Sequence, residues 1–372
     1  MKIVHIITSL GDGGAENSLY KICKYDHFNK HIVVSLKGSG KYFSLLNNLG
    51  IKVYCLNFNF FSIFKFFHLI KLLQSLKPDV VQTWLVHGDF IGGISARLAG
   101  IKNIIWNIRY SNIEFGKAKL TTILLVKVLA KLSFLLPKSI VVVSKSSKKN
   151  CISLGYCKKK LYLIPNGYDL SILKPNKIQR LNFRKKIIIK KKIPLIGIVA
   201  RYDLAKDHEN LINALSIIRL KNINFLCFLV GSNINKNNIN LVSKIKKLQL
   251  NDSVKLLGRS SNISQVMNGL DIHVLSSIRE GFPNVVAEAM CCGTPCVVTD
   301  VGDSAFIVGK TGWVVPPQNI SKLATAIEQA LSEVGTKKWT KKCNQARLRI
   351  KKNFDISKMI KSYNKIWTKI HR

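Results

Sequence analysis

Residues 271–290 read Asp-Ile-His-Val-Leu-Ser-Ser-Ile-Arg-Glu-Gly-Phe-Pro-Asn-Val-Val-Ala-Glu-Ala-Met. The apolar run Asp271–Ser276 has the length and β-branched content of a strand, and a loop holding Gly281 and Pro283 breaks it. A helical pattern then opens near Asn284, with Pro283 beside the first turn and Asn284 as the expected N-cap. Strand, loop and helix in this order form the repeating unit of a parallel sheet, because parallel neighbours need a crossover between them.

The same unit recurs along the chain. Strands are expected at Lys2–Thr8, His31–Leu36, Ile51–Leu56, Asp79–Thr83, Ile104–Ile108, Ser139–Val143 and Leu161–Ile164. A second set follows at Pro194–Ala200, Asn224–Val230, Ser253–Leu256, Asp271–Ser276, Pro295–Thr299 and Gly312–Val315. The intervals leave room for helices at 16–25, 41–49, 62–76, 89–99, 118–135, 145–154, 206–220 and 319–333. Ile164-Pro-Asn-Gly-Tyr-Asp169 ends the first set as a strand followed by a turn, and residues 171–192 carry Pro175 and basic runs but no clear strand. Residues 165–192 therefore read as a hinge with a helix leading out of it. The architecture predicted is α/β: two doubly wound Rossmann-like domains facing a cleft, over 1–168 and 169–353. Residues 354–372 add a C-terminal helix with apolar positions at Phe354, Ile356, Ile360, Tyr363, Ile366 and Trp367. Ligands of such sheets bind outside the carboxyl ends of the strands.

Composition agrees with a folded chain of this size. The 372 residues are 47% hydrophobic and 21% charged, which excludes a disordered polymer. Lys and Arg number 59 against 19 Asp and Glu, a formal charge of +40 that draws the protein towards polyanions. Because 48 of the basic residues are Lys and only 11 are Arg, biased codon usage accounts for the excess as well as function does. The nine cysteines follow no paired framework, and Cys291-Cys292-Gly-Thr-Pro-Cys296 reads as buried thiols rather than a metal site. His5 and Thr8 interrupt the first apolar stretch, which is thus a strand and not a leader, and no apolar run of membrane-spanning length occurs. A cytoplasmic protein is expected.

Four places could do chemistry. After the first strand, Ser9-Leu-Gly-Asp-Gly13-Gly14-Ala-Glu16 opens a helix, where glycine amides approach an anion. The second strand ends at Ser35-Leu36-Lys37 without the acid that a dinucleotide site wants, so an NAD site is excluded. In the second half, Arg201 closes the strand at 194–200 and Lys206 follows. An arginine fork and a lysine point charge together suit a diphosphate. Around 276–290, Glu280 in the loop and Glu288 one turn into the helix offer acceptors to vicinal hydroxyls, beside the amides of 281–285. Phosphate donors next to polyol acceptors describe a nucleotide sugar.

Arg201-x4-Lys206 and Glu280-x7-Glu288, within Arg-Glu-Gly-Phe-Pro-Asn-Val-Val-Ala-Glu-Ala-Met and followed by Gly293-Thr-Pro, resemble glycosyltransferase family four. The resemblance spans the chain: Gly13-Gly14-Ala15-Glu16, Ile164-Pro-Asn-Gly167, Gly302 and Gly312-Trp-Val-Val-Pro316 also match. It implies the GT-B fold, with the C-terminal helix crossing back onto the N-terminal domain, and a retaining transferase of the hexosyl or N-acetylhexosaminyl class. The donor is a nucleotide sugar, by default a UDP-sugar, acting as co-substrate with no cofactor and no metal. Carried over residue by residue, Arg201 and Lys206 hold the diphosphate and Glu280 the sugar hydroxyls. Gly281, Phe282, Pro283, Asn284 and Val285 line sugar and phosphate, and Glu288 takes the ribose diol. Gly258 and Arg259 line the base pocket, while Gly13, Gly14 and His87 approach the reacting centre from the other domain. No Asp-x-Asp ends a predicted strand, so fixed cations and helix amides would neutralise the leaving group.

The acceptor implied is a glycan or lipid-linked glycan of cell-envelope polysaccharide synthesis. Residues 58–76 are rich in Phe and poor in acids, and 117–138 place Lys117, Lys119, Lys127, Lys131 and Lys138 among apolar residues. Both stretches suit ordinary core helices or contact with the inner face of an anionic membrane. Two other enzymes of the same fold remain open: a phosphorylase, which needs a pyridoxal-phosphate lysine that no motif supplies, and a nucleotide-sugar epimerase. A polyanion-binding protein is a third alternative, but the lysines are scattered and no nucleic-acid partner is expected.

Overall fold

The computed structural model describes residues 1–58, 63–109, 120–186 and 193–372. Phe60, Phe61, Lys117, Lys119 and the run Lys190–Lys192 lie outside the described residues. The chain divides into two compact units, Met1–Gly167 with Ile356–Arg372, and Tyr168–Asp355.

The first unit is built on seven strands: β1 (Lys2–Ile7), β2 (Lys30–Ser35), β3 (Lys52–Cys55), β4 (Val80–Trp84), β5 (Ile104–Ile108), β6 (Ser139–Val142) and β7 (Leu161–Leu163). They run parallel in the order β3-β2-β1-β4-β5-β6-β7. Period two explains the two cores. Val4 and Ile6 face Leu69, Leu73, Val126 and Leu129 on one side, while Ile3 and Ile7 face Leu19, Ile22, Tyr363 and Trp367 on the other. The helix Ile356–His371 completes that second layer by burying Met359, Ile360, Tyr363, Ile366, Trp367 and Ile370, a stripe at helical spacing. Asp355 is extended and ends the preceding helix.

The second unit has six strands: β8 (Leu195–Val199), β9 (Leu226–Val230), β10 (Val254–Gly258), β11 (Ile272–Leu275), β12 (Cys296–Thr299) and β13 (Trp313–Val315). Their order is β10-β9-β8-β11-β12-β13, again parallel. Ile196 and Ile198 pack with Leu211 and Leu215 of the helix His208–Leu220 and with Leu323 and Ile327 of the helix Ile320–Glu333.

In both sheets the strand order reverses beside the first strand, between β1 and β4 and between β8 and β11. A crevice opens at such a switch point because the two crossovers leave in opposite directions. Among the described residues, all thirteen strands lie where the sequence places them. The helices Ile239–Lys247, Ile263–Gly269, Ser304–Val308 and Lys337–Phe354 were not anticipated. The last buries only Trp339, Ala346, Ile350 and Phe354 among its 18 residues, too thin a stripe to stand out in so basic a segment. Two local expectations are corrected. The helix after β8 starts at His208, and Lys206 instead ends a 3-10 turn, Leu204–Lys206, that Asp203 caps. Pro283, not Asn284, is the N-cap of the helix Asn284–Cys291, and no side chain caps that end. Asn284 accepts a hydrogen bond from the Tyr168 hydroxyl at 2.6 Å, which takes its oxygen away from the helix amides. Among the described residues no helix is long and apolar enough to cross a membrane.

Candidate active site

The switch point of the second sheet collects Lys206 and Glu280. Their Nζ and Oε1 atoms lie 2.6 Å apart, with the Lys206 side chain 22% and the Glu280 side chain 10% exposed. Ser277 Oγ donates to the same carboxylate oxygen at 2.7 Å. The two loops are stitched together beneath them: Ser276 Oγ donates to Lys206 O at 3.0 Å and the Ile278 amide to Ala205 O at 2.9 Å. A third loop closes the floor, where the Asp303 amide donates to Gly281 O at 2.9 Å. Gly302, at φ +57°, lies so close that a Cβ there would sit 2.4 Å from Glu280 O, so a side chain would displace the loop that aims the carboxylate.

The other residues expected in the second unit surround this pair unevenly. Asn284, Val285 and Glu288 share the partly exposed face of their helix, four residues spacing the two polar side chains, while Val286, Ala287, Ala289 and Met290 face the core. Phe282 is buried edge-on against Phe354 at 5.6 Å, so its side chain is an anchor for the loop rather than a lining group. Arg201 is exposed and pairs with Asp203 at 3.3 Å rather than with Glu280. Gly258 and the exposed Arg259 end β10, where Gly258 O accepts the Gly231 amide at 2.8 Å. Gly231, at φ +155°, also packs against the end of β8, where a Cβ would meet Ala200 O at 1.9 Å.

In the first unit Gly13, Gly14 and His87 lie at the ends of β1 and β4. Gly13 is the N-cap of the helix Gly14–Tyr25. The side chain of Glu16, largely buried in the first turn, folds over it, and a Cβ on Gly13 would be 2.4 Å from Oε2. The chain's own carboxylate therefore occupies the helix end that the sequence offers to an anion. His87 follows Leu85, whose φ of +68° is strained for a branched residue, and one π-helical turn, Gly88–Gly92, comes next. Such outliers concentrate at functional sites. Desolvation, then the charge of Lys37, lowers the His87 pKa, so the imidazole is neutral at pH 7.

Two features were missed by sequence reasoning. Arg109, after β5, is held by Asn107, Asn166 and Tyr363. His5, Cys23 and His31 form a buried group with metal-ligand geometry. Its imidazoles are already engaged: Trp84 Nε1 donates to His5 Nδ1 at 3.3 Å, the two rings share a bond at 2.9 Å, and His31 meets Asp26 at 3.1 Å. One tautomer, with hydrogen on both Nε2 atoms, satisfies the whole relay without a metal. Cys291, Cys292 and Cys296 are buried, as the sequence leads one to expect.

Two consecutive family models cover the chain: Glycosyltransferase Family 4 over residues 12–172 and Glycosyl transferases group 1 over residues 179–353. The chain is 25% identical over 298 residues to the UDP-Gal:alpha-D-GlcNAc-diphosphoundecaprenol alpha-1,3-galactosyltransferase of Escherichia coli, covering 78% of this chain and 76% of that one. It is 28% identical to the N,N'-diacetylbacillosaminyl-diphospho-undecaprenol alpha-1,3-N-acetylgalactosaminyltransferase of Campylobacter jejuni, covering 74% and 77%. The solved structure of HepE from Anabaena in complex with UDP superposes at a TM-score of 0.87 with 21% identity, over 99% of this chain and 100% of that one. Two parallel Rossmann-like sheets, the charged pair at the second switch point and models matching both halves lead to one conclusion: the chain belongs to glycosyltransferase family four and is a glycosyltransferase of the GT-B fold.

Proposed function

We propose that this glycosyltransferase moves a hexosyl or N-acetylhexosaminyl group from a UDP-sugar to a glycan or lipid-linked glycan acceptor in cell-envelope polysaccharide synthesis. It does so with retention of configuration and without a metal or cofactor. The observation that carries the reading is the Lys206–Glu280 contact at the β8/β11 switch point, a cation and an acceptor at the strand ends where nucleotides bind in such sheets. Lys206 and Arg201 hold the diphosphate, Glu280 takes the sugar hydroxyls and Glu288 the ribose diol. Gly258 and Arg259 line the base, and amides of 281–285 face the phosphate. Of the first unit, Gly13, Gly14 and His87 at the ends of β1 and β4 are the residues offered to substrate. The relatives named above act on diphospholipid-linked sugars, which supports the acceptor class.

The test is a thermal-shift screen against UDP-sugars with and without EDTA, since a ligand that binds only the folded chain raises the melting temperature. One UDP-sugar is expected to stabilise the protein, with transfer unaffected by EDTA and an α-linked product formed from an α-linked donor. A β-linked product, or transfer that requires added divalent metal, refutes the corresponding part.

The same reading makes the protein peripheral on the cytoplasmic face of the membrane. Its support is apolar surface beside lysines: Ile63, Phe64 and Phe67 are 64%, 85% and 55% exposed on the helix Ile63–Leu76, which buries only Leu69 and Leu73. On and after the helix Leu120–Leu132, Leu120, Leu124, Phe134 and Leu135 are 81%, 65%, 59% and 74% exposed near Lys127, Lys131 and Lys138. Each lysine close to an anionic surface adds about 1 kcal/mol. Sedimentation with anionic vesicles should carry the protein down, whereas neutral vesicles should not. Changing Phe64 and Phe67 to Ser should release it with little cost in stability, because both are exposed. Equal recovery in the supernatant with both vesicle types rules out the membrane role.

A further inference from the structure

The first unit holds a cation that these roles leave unused. Arg109 follows β5 directly, half-buried, with its guanidinium 5.1 Å from the centre of the Trp84 ring. Nε donates to Asn107 Oδ1 at 2.9 Å, Nη1 to Asn166 Oδ1 at 2.6 Å and Nη2 to the Tyr363 hydroxyl at 2.9 Å. All these partners are neutral, and among the described residues no carboxylate reaches the guanidinium. Three acceptors on three separate segments fix the fork, yet they use only part of its N–H donors. A partly desolvated cation held this way gains most from an anionic ligand.

Its place is informative. Asn166 also accepts from Ser18 Oγ at 3.1 Å, on the helix Gly14–Tyr25, and Trp84 closes β4 at the switch point of the first sheet. The guanidinium thus stands at the same strand ends as Gly13 and His87. The helix end at Gly13 carries the Glu16 carboxylate, so it repels a phosphate rather than binding one.

We infer that Arg109 contacts a phosphate carried by the acceptor, and that Tyr363, with Asn107 and Asn166, is its positioning group. This rests on the acceptor class proposed above. An acceptor diphosphate, inorganic phosphate and a phospholipid headgroup share the required chemistry. The acceptor fits best, because the guanidinium stands at the carboxyl ends of β4 and β5, where ligands of such sheets bind.

The experiment uses the full chain saturated with UDP-sugar and two acceptors: a short-chain prenyl diphosphate sugar and the same sugar on a phosphate-free prenyl chain. Arg109→Gln should raise KM for the diphosphate acceptor about tenfold or more, as expected for a lost charged hydrogen bond, while the KM of the phosphate-free acceptor stays as in wild type. Arg109→Lys should be intermediate, since a point charge replaces a fork. Tyr363→Phe should raise the same KM by a few-fold, a larger effect than on kcat. Near-UV circular dichroism establishes folding, and Arg109→Lys keeps the test open if Arg109→Gln does not fold. Equal losses for both acceptors, or no loss, overturn the inference. Competition by inorganic phosphate or by phosphatidylglycerol vesicles in wild type but not in Arg109→Gln, without the acceptor KM change, assigns the site to those anions and overturns it too. Failure of wild type to bind any UDP-sugar overturns the donor reading and is seen before Arg109 is tested.

Discussion

Replacing Glu280 with Ala is expected to lower turnover about 10- to 150-fold while UDP binds as tightly as to wild type or more tightly. The range corresponds to roughly 1.5–3 kcal/mol, the usual size of a hydrogen bond to a charged group. The asymmetry follows from the geometry. Glu280 holds Lys206 at 2.6 Å, so a donor diphosphate competes with that carboxylate for the ammonium. Removing Glu280 frees Lys206 for the diphosphate and removes the acceptor that aligns the sugar. Lys206→Ala should act in the opposite sense, weakening UDP by a similar factor and leaving Glu280 with Ser277 alone. Because the two side chains touch, the double variant should cost less than the two single losses combined. Isothermal titration with UDP and steady-state transfer rates on the three variants measure this. Additive losses, or a Glu280→Ala protein that loses UDP as well, would show that the pair does not work as one unit.

Acid should destabilise the protein once the pH falls below about 6.5, the ordinary histidine value. His5, His208 and His273 are buried, and desolvation is the first cause that lowers each imidazole, to about 4 for His208 and about 3 for His273. Among the described residues His208 and His273 have no hydrogen-bond partner on either ring nitrogen, so no hydrogen bond favours their charged form. A group with a depressed folded-state pKa binds its proton in the unfolded chain first. Stability is therefore full above the ordinary value of 6.5 and falls as the pH drops below it. Asp89 works against this, because burial raises it to about 8 and the folded state holds its proton down to the ordinary carboxylate range. Three histidines outweigh one aspartate, so stability falls on balance as the pH drops from about 6.5 towards 4. Urea unfolding should give a lower stability at pH 5 than at pH 7, by on the order of a few kcal/mol, a sizeable share of a typical domain's stability. His273→Leu should make that pH dependence shallower. Equal stability at the two pH values would contradict the burial assignments.

Much of this protein is written locally. Short β-branched apolar runs between Gly and Pro breaks locate the strands of the described residues, since a parallel strand buried on both faces needs such a segment wherever it sits. The loop around Gly281 and Pro283 and the cation after β8 are legible for the same reason: residue type and spacing set the local backbone and charge. Local pattern failed where burial is thin, as in the helix Lys337–Phe354, and where a distant partner competes, as when Tyr168 takes the Asn284 oxygen from the helix end. Which side chains meet was decided only by the tertiary structure. Lys206 and Glu280 are 74 residues apart, and Arg109 draws its holders from 57 and 254 residues away. Those meetings depend on strand order, on β11 lying beside β8 and the last helix returning to the first sheet. A hydrogen bond needs its atoms within about 3 Å, and a one-dimensional pattern carries propensity and charge but no distances between remote segments.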